Sequence, residues 1–98
     1  MAGNPLDVLG DPNRRTILRL LSSRSRSVQE LADELPISRP AVSRHLRLLK
    51  DAGLVVEEPH GTRNIYRLDP TGSESIRAYF VEVWGEIATR FTIAAENT

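Results

Sequence analysis

Two helix-start signals, separated by a proline, constrain the fold of this chain more than any other feature. Ser27 and Glu30 have the three-residue spacing of a capping box, and Ser38 stands in the N-cap position before a second apolar-periodic segment. Because Pro36 cannot continue the first helix, only a tight turn joins the two. The segment therefore predicts two short helices that cross closely, with Ala32 as a small side chain at the crossing.

The second of these helices has a stop signal and is followed by a predicted hairpin. Gly53 is suited to end the helix in a left-handed conformation, and Leu54 can fold back on it as in a Schellman motif. Residues 55–58 and 64–68 are typical of two strands, joined through a turn that contains a proline and a glycine. This order of elements predicts a winged helix-turn-helix, a mainly α fold with a small β-hairpin.

Helices are also predicted on both sides of this unit. Asp11 caps a helix with Pro12 at its first position, and Thr71 with Glu74 repeats the capping-box spacing before a long final helix. If that helix reaches residue 95 it is about 37 Å long at 1.5 Å per residue, which one small core cannot cover. We therefore predict that a second copy of the chain covers the remainder.

Composition excludes several classes of protein. The chain has no cysteine, which excludes disulfides, thiolate metal sites and cysteine nucleophiles. It has neither an apolar run near the roughly 20 residues of a membrane span nor a signal-peptide pattern, so we predict a single cytoplasmic domain over residues 1–98. No nucleophile elbow, glycine-rich phosphate loop or metal-ligand cluster is present, and we expect neither an enzyme nor a cofactor nor a metal site.

Charge is distributed unevenly although the formal net charge is zero. Residues 13–50 hold nine basic and three acidic side chains, whereas residues 51–98 hold four basic and eight acidic ones. A basic middle with acidic flanks is expected when one face of a protein meets phosphates, so we predict that the second helix enters a DNA major groove. The predicted DNA-contacting residues are Ser38, Arg39, Pro40, Ser43, Arg44, His45, Arg47 and, at the hairpin tip, Arg63.

Several alternatives stay open at this stage. His45 lies near the boundary between the inward and outward arcs of its helix, so partial burial is as well supported as a base contact. Phosphate contact and plain solubility are evenly matched for Arg14 and Arg15. The same arginines would also suit an acidic protein partner, in a winged-helix interaction module without DNA binding. Trp84 and Phe91 would suit either a helix-helix interface or a pocket for a small apolar effector.

The chain resembles the ArsR-type (arsenic-repressor-like) winged-helix transcriptional regulators over about residues 5–70, in the stretches DPNRRTILRLL, VQELADEL, SRPAVSRHLRLLKDAGLV and GTRNIYRLD. The resemblance implies a homodimer that binds a pseudo-palindromic operator in double-stranded DNA and represses transcription. It also implies that the first and last helices form the dimer interface, through Leu6, Leu9, Phe80, Val83, Trp84, Ile87 and Phe91.

The chain departs from the metal-sensing members of that family. Those members place a cysteine pair in the helix that reads VQELADEL here, or paired histidine and carboxylate ligands on the last helix. Here the last helix has Glu74, Glu82 and Glu86 but no histidine. The resemblance therefore implies the branch that lacks the metal-site cysteines, whose release signal is another molecule or none.

Overall fold

The computed structural model of the protein describes the backbone of residues 5–96 and the side chains of residues 7–78 and 81–85. A three-stranded antiparallel sheet, ordered β1-β3-β2, is packed beside a helix pair. The winged helix-turn-helix that the sequence predicts is confirmed. In chain order the elements are α1 (Pro5–Val8), α2 (Pro12–Ser23), β1 (Arg26–Ser27), α3 (Val28–Glu34), α4 (Arg39–Asp51), β2 (Val55–His60), β3 (Arg63–Leu68) and α5 (Pro70–Glu96).

The predicted helix caps are confirmed in atomic detail. The Ser27 hydroxyl accepts a hydrogen bond from the backbone N–H of Glu30 at 3.2 Å, and the Glu30 carboxylate accepts one from the backbone N–H of Ser27 at 3.1 Å. Ser38 accepts from the backbone N–H of Ala41 at 3.3 Å, so α4 has its own cap. Asp11 accepts from two backbone N–H groups at the start of α2. Each cap satisfies donors that a helix leaves unpaired.

The predicted Schellman ending of α4 is also confirmed. Gly53 has a φ of 79°, its N–H donates to the carbonyl of Lys50 at 2.9 Å, and the N–H of Leu54 donates to the carbonyl of Leu49 at 2.9 Å. The hairpin follows directly, and both strands are longer than predicted because pairing continues to the match of His60 with Arg63. Only a tight turn with a left-handed glycine remains between the strands.

The core joins α2, α3, α4 and the sheet. Its fully buried side chains are Ile17, Leu31, Val42, Leu46 and Leu49. The sequence also predicts Leu48 on the inward side of α4, and this is wrong, because Leu48 is 40% exposed. The buried stripe of α4 runs through residues 42, 45, 46 and 49, and Leu48 falls outside that arc.

The start of α5 differs from the prediction. Asp69 rather than Thr71 is the cap, because its carboxylate accepts from the backbone N–H of Thr71 at 2.9 Å and the helix begins at Pro70. This repeats the Asp-Pro start of α2. One turn later, Gly72 is buried against Gly53 and Leu54, so closely that a Cβ on Gly72 would lie 2.9 Å from the Leu54 Cα.

Strand β1 is not predicted by the sequence. Arg26 and Ser27 pair with Tyr66 and Ile65 of β3, which ties the connection between α2 and α3 to the wing. The Arg26 side chain is buried and donates to the Glu34 carboxylate at 2.7 Å. This arginine of the basic middle therefore serves the fold and not a ligand.

Acid should weaken the capping box of α3. The pKa of Glu30 is lowered to about 2, mainly by the hydrogen bond from Arg24 and then by the one from the Ser27 backbone. Because the folded value lies below the ordinary value of 4.5, this stabilisation is present above that pH and is lost as the pH falls toward 2. Urea unfolding at about pH 6 and about pH 3 should show a larger loss of unfolding free energy in the wild type than in Glu30→Gln, whose amide can still cap. Equal losses would contradict this.

Candidate nucleic-acid interface

The outward side of α4 carries the predicted groove-facing residues together. All of them except His45 are exposed, while the opposite side of the helix packs into the core. We call this exposed set the α4 surface. Its members are Ser38, Arg39, Pro40, Ser43, Arg44 and Arg47.

The arginines of the α4 surface differ from the other basic residues of the middle segment. Within the part of the chain that the structure describes, Arg44 and Arg47 take part in no ion pair. By contrast, Arg24 pairs with Glu30, and Lys50 pairs with Glu57. The positive charge available to a ligand is therefore concentrated on α4 and is smaller than the sequence count indicates.

His45 is placed on the inner side of α4. It is 8% exposed, and Arg14 lies with Nη1 3.3 Å from its Nδ1. Because a guanidinium can only donate, Nδ1 acts as the acceptor and the imidazole is neutral. Burial lowers the pKa of His45 and outweighs the opposing charge of Asp11. The predicted DNA contact of His45 is not supported by this placement, and the buried alternative is.

Arg14 and Arg15 have a role that the sequence analysis missed. Arg14 Nε donates to the carbonyl of Val8 at 2.6 Å, and Arg15 Nη1 donates to the carbonyl of Leu9 at 2.7 Å. Both carbonyls belong to the end of α1 or the residue after it, where helical partners are missing. The two arginines therefore hold α1 against α2. An arginine pair at the start of one helix gives no local sign of such partners.

The wing is joined to α4 through Glu57. Its carboxylate accepts from Lys50 Nζ at 3.0 Å and from Asn64 Nδ2 at 2.6 Å. The Tyr66 hydroxyl also donates to Glu57, and burial together with this bond raises the pKa of Tyr66 to about 12. The sequence analysis missed Glu57, because its partners become visible only once the strand register is known. Arg63 is exposed beyond this network, at the wing tip.

The α5 helix presents apolar side chains to solvent in the single chain. Val81 is 65% exposed and Trp84 is 51% exposed, with Val83 exposed between them. Leu9, by contrast, is partly buried against the core. The side chains of four other predicted interface residues lie outside the described residues, namely Leu6, Phe80, Ile87 and Phe91.

Two searches of the described residues were negative. No helix among them is long and apolar enough to cross a membrane. Likewise, residues with described placement form no group of three or more histidine, aspartate or glutamate side chains that could hold a metal ion.

Comparison of the sequence with known proteins gives consistent matches. The family described as "Bacterial regulatory protein, arsR family" matches residues 11–56. The HTH-type transcriptional regulator Rv2034 of Mycobacterium tuberculosis is 46% identical over 83 residues, which are 85% of this chain and 78% of that protein. The HTH-type transcriptional repressor SmtB of the same species is 43% identical over 67 residues, 68% of this chain and 50% of the repressor.

Solved structures show the same likeness. The crystal structure of a possible transcriptional regulator for arsenical resistance has a TM-score of 0.80 at 39% identity, and the match covers 94% of this chain and 96% of that one. A homodimeric winged helix-turn-helix DNA-binding domain from Mycobacterium bovis, solved by NMR, has a TM-score of 0.66 at 30% identity, over 84% of this chain and 75% of that one. The likeness thus extends well beyond the helix pair.

Proposed function

Because this chain belongs to the ArsR family of bacterial transcriptional regulators, we propose that it is a homodimeric repressor that inserts α4 into the major groove of a pseudo-palindromic operator. The α4 surface carries this proposal. Arg44 and Arg47 are exposed on a helix that is anchored on its other side, and neither is engaged in an ion pair among the described residues. A free guanidinium can read guanine through two parallel hydrogen bonds.

The exposed apolar side of α5 supports the homodimer. Val81, Val83 and Trp84 are large apolar residues that a single chain leaves in water. The similar domain from Mycobacterium bovis is itself homodimeric. In a twofold dimer the two copies of α4 would stand about 34 Å apart, one turn of DNA, to reach both half-sites on one face.

The operator can be found with the protein alone. Purified protein is mixed with fragmented DNA from its own genome, and the retained fragments are sequenced. We expect enrichment of an inverted repeat whose half-site centres are about 10 base pairs apart. A winged-helix module used only for protein association would enrich no sequence, and that result would overturn the proposal.

Binding to the enriched operator should weaken steeply with salt. With six or more phosphate contacts per dimer, affinity should fall roughly 10³-fold between about 50 and about 200 mM salt, because condensed counterions are released on binding. A fluorescence anisotropy titration measures this, and a duplex with scrambled half-sites serves as the control, with weaker binding and a similar slope. Salt-independent affinity would contradict a phosphate-based interface.

A further inference from the structure

A polar cleft lies where α3, α4 and the wing tip meet. Its volume is about 190 Å³, and its lining includes Gln29, Arg39 and Arg63 but no acidic residue. This volume is several times the roughly 30 Å³ that one water occupies in the liquid, so the cleft has room for a larger polar group. Two guanidinium groups around one space without a carboxylate produce a positive potential that an anion would neutralise.

The orientation of Arg39 is set by a short hydrogen-bond chain. Arg39 Nη1 donates to Gln29 Oε1 at 3.3 Å, and Gln29 Nε2 donates to Asp33 Oδ1 at 2.7 Å. Because Asp33 accepts from the amide nitrogen, the amide oxygen of Gln29 is turned toward Arg39. A guanidinium has five N–H donors, so one bond to Gln29 leaves most of them available for a ligand.

The carboxylates closest to the cleft in sequence and fold are already engaged. Glu30 completes the capping box of α3 and accepts from Arg24. Glu57 accepts from Lys50 and from Asn64, which itself lines the cleft. Neither acid is therefore available to neutralise Arg39 or Arg63 in place of a ligand.

We propose that this cleft clamps one phosphate of the DNA backbone between Arg39 and Arg63, with Gln29 as the positioning residue for Arg39. The proposal rests on the proposed function and deepens it by dividing the labour among the arginines. Arg39 and Arg63 hold the backbone and set the register of the protein on the duplex, since phosphate contacts position without specifying sequence. Base reading is left to Arg44 and Arg47.

Shared contact with one phosphate makes the two arginines interdependent. On the operator duplex, Arg39→Ala and Arg63→Ala should each lower affinity about tenfold, and the double variant should lose far less than the product of the two. The salt slope of the double variant should fall by about 1, for one phosphate, and not by about 2. Arg44→Ala combined with Arg63→Ala is the matched control, and its losses should multiply.

A phosphate scan locates the contact. In duplexes with a single neutral methylphosphonate, one position in each half-site should weaken the wild type but leave the affinity of the double variant unchanged. Multiplicative losses for Arg39 and Arg63, or sensitivity to two different phosphates, would overturn the clamp alone. A wild-type protein that binds no duplex at all would overturn the clamp together with the proposed function.

The role of Gln29 is tested in two backgrounds. Gln29→Ala should lower operator affinity several-fold in the wild type and have no further effect in Arg39→Ala, because it acts only through that arginine. A purely structural contribution of Gln29 to α3 would lower affinity in both backgrounds, and equal losses would overturn the positioning role. The thermal midpoint of each variant is measured beside its affinity.

Discussion

Replacing Gly72 with alanine should lower the free energy of unfolding by about 2–3 kcal/mol. The new methyl group would lie 2.9 Å from the Cα of Leu54 and closer still to the carbonyl oxygen of Gly53. These are backbone atoms, so no side-chain rotation can make room, and the start of α5 has to shift. Alanine is otherwise favoured over glycine in a helix by about 1 kcal/mol, which makes a net loss diagnostic of the close approach.

A second glycine of α5 is the matched control for this substitution. At Gly85 an added Cβ would meet only the Val81 side chain at 3.6 Å, an ordinary contact. Gly85→Ala should therefore be neutral or stabilising by up to about 1 kcal/mol. Urea unfolding of both variants gives the comparison. A Gly72→Ala protein as stable as the wild type would contradict the packing of α5 against the α4 to β2 connection.

Removing Arg44 and Arg47 together should lower operator affinity by roughly 10²-fold or more, since a bidentate base contact is worth about 1–3 kcal/mol. Both side chains are exposed and form no ion pair among the described residues. The free energy of unfolding should therefore change by less than about 0.5 kcal/mol. Anisotropy on the operator measures affinity, and sedimentation shows whether the dimer is intact.

Arg77→Ala is the charge control for the double variant, because Arg77 is exposed on α5 and lies outside the basic middle. It should leave operator affinity nearly unchanged. The single variants Arg44→Ala and Arg47→Ala should each relax specificity at one position of the half-site. Unchanged operator affinity in the double variant would favour a protein partner for the α4 surface.

The caps and the helix stop could be predicted because their physics is local. Ser27, Ser38 and Gly53 each form their bonds with groups no more than a few residues away, so short spacings in the sequence already contain the interaction. The start of α5 was misplaced because Asp69 and Thr71 both carry cap signals, and sequence alone does not rank them.

The parts that could not be predicted depend on contacts between distant segments. Strand β1 exists only because Arg26 and Ser27 meet β3, some forty residues further along the chain. The buried place of His45 similarly depends on Arg14 of another helix. For the candidate site, helical periodicity was enough to predict the α4 surface. The cleft was not predictable, because it forms only when the wing reaches α3.

The bond from Lys50 to Glu57 has a consequence for regulation. Together with the hydrogen-bonded turn at Gly53, it joins the recognition helix to the wing within one protomer, so the two should move as one body. An inducing molecule would then release the operator by altering the spacing or rotation between protomers, not by reshaping either reading head. New inducer responses could accordingly evolve through changes in α5 while operator preference stays intact.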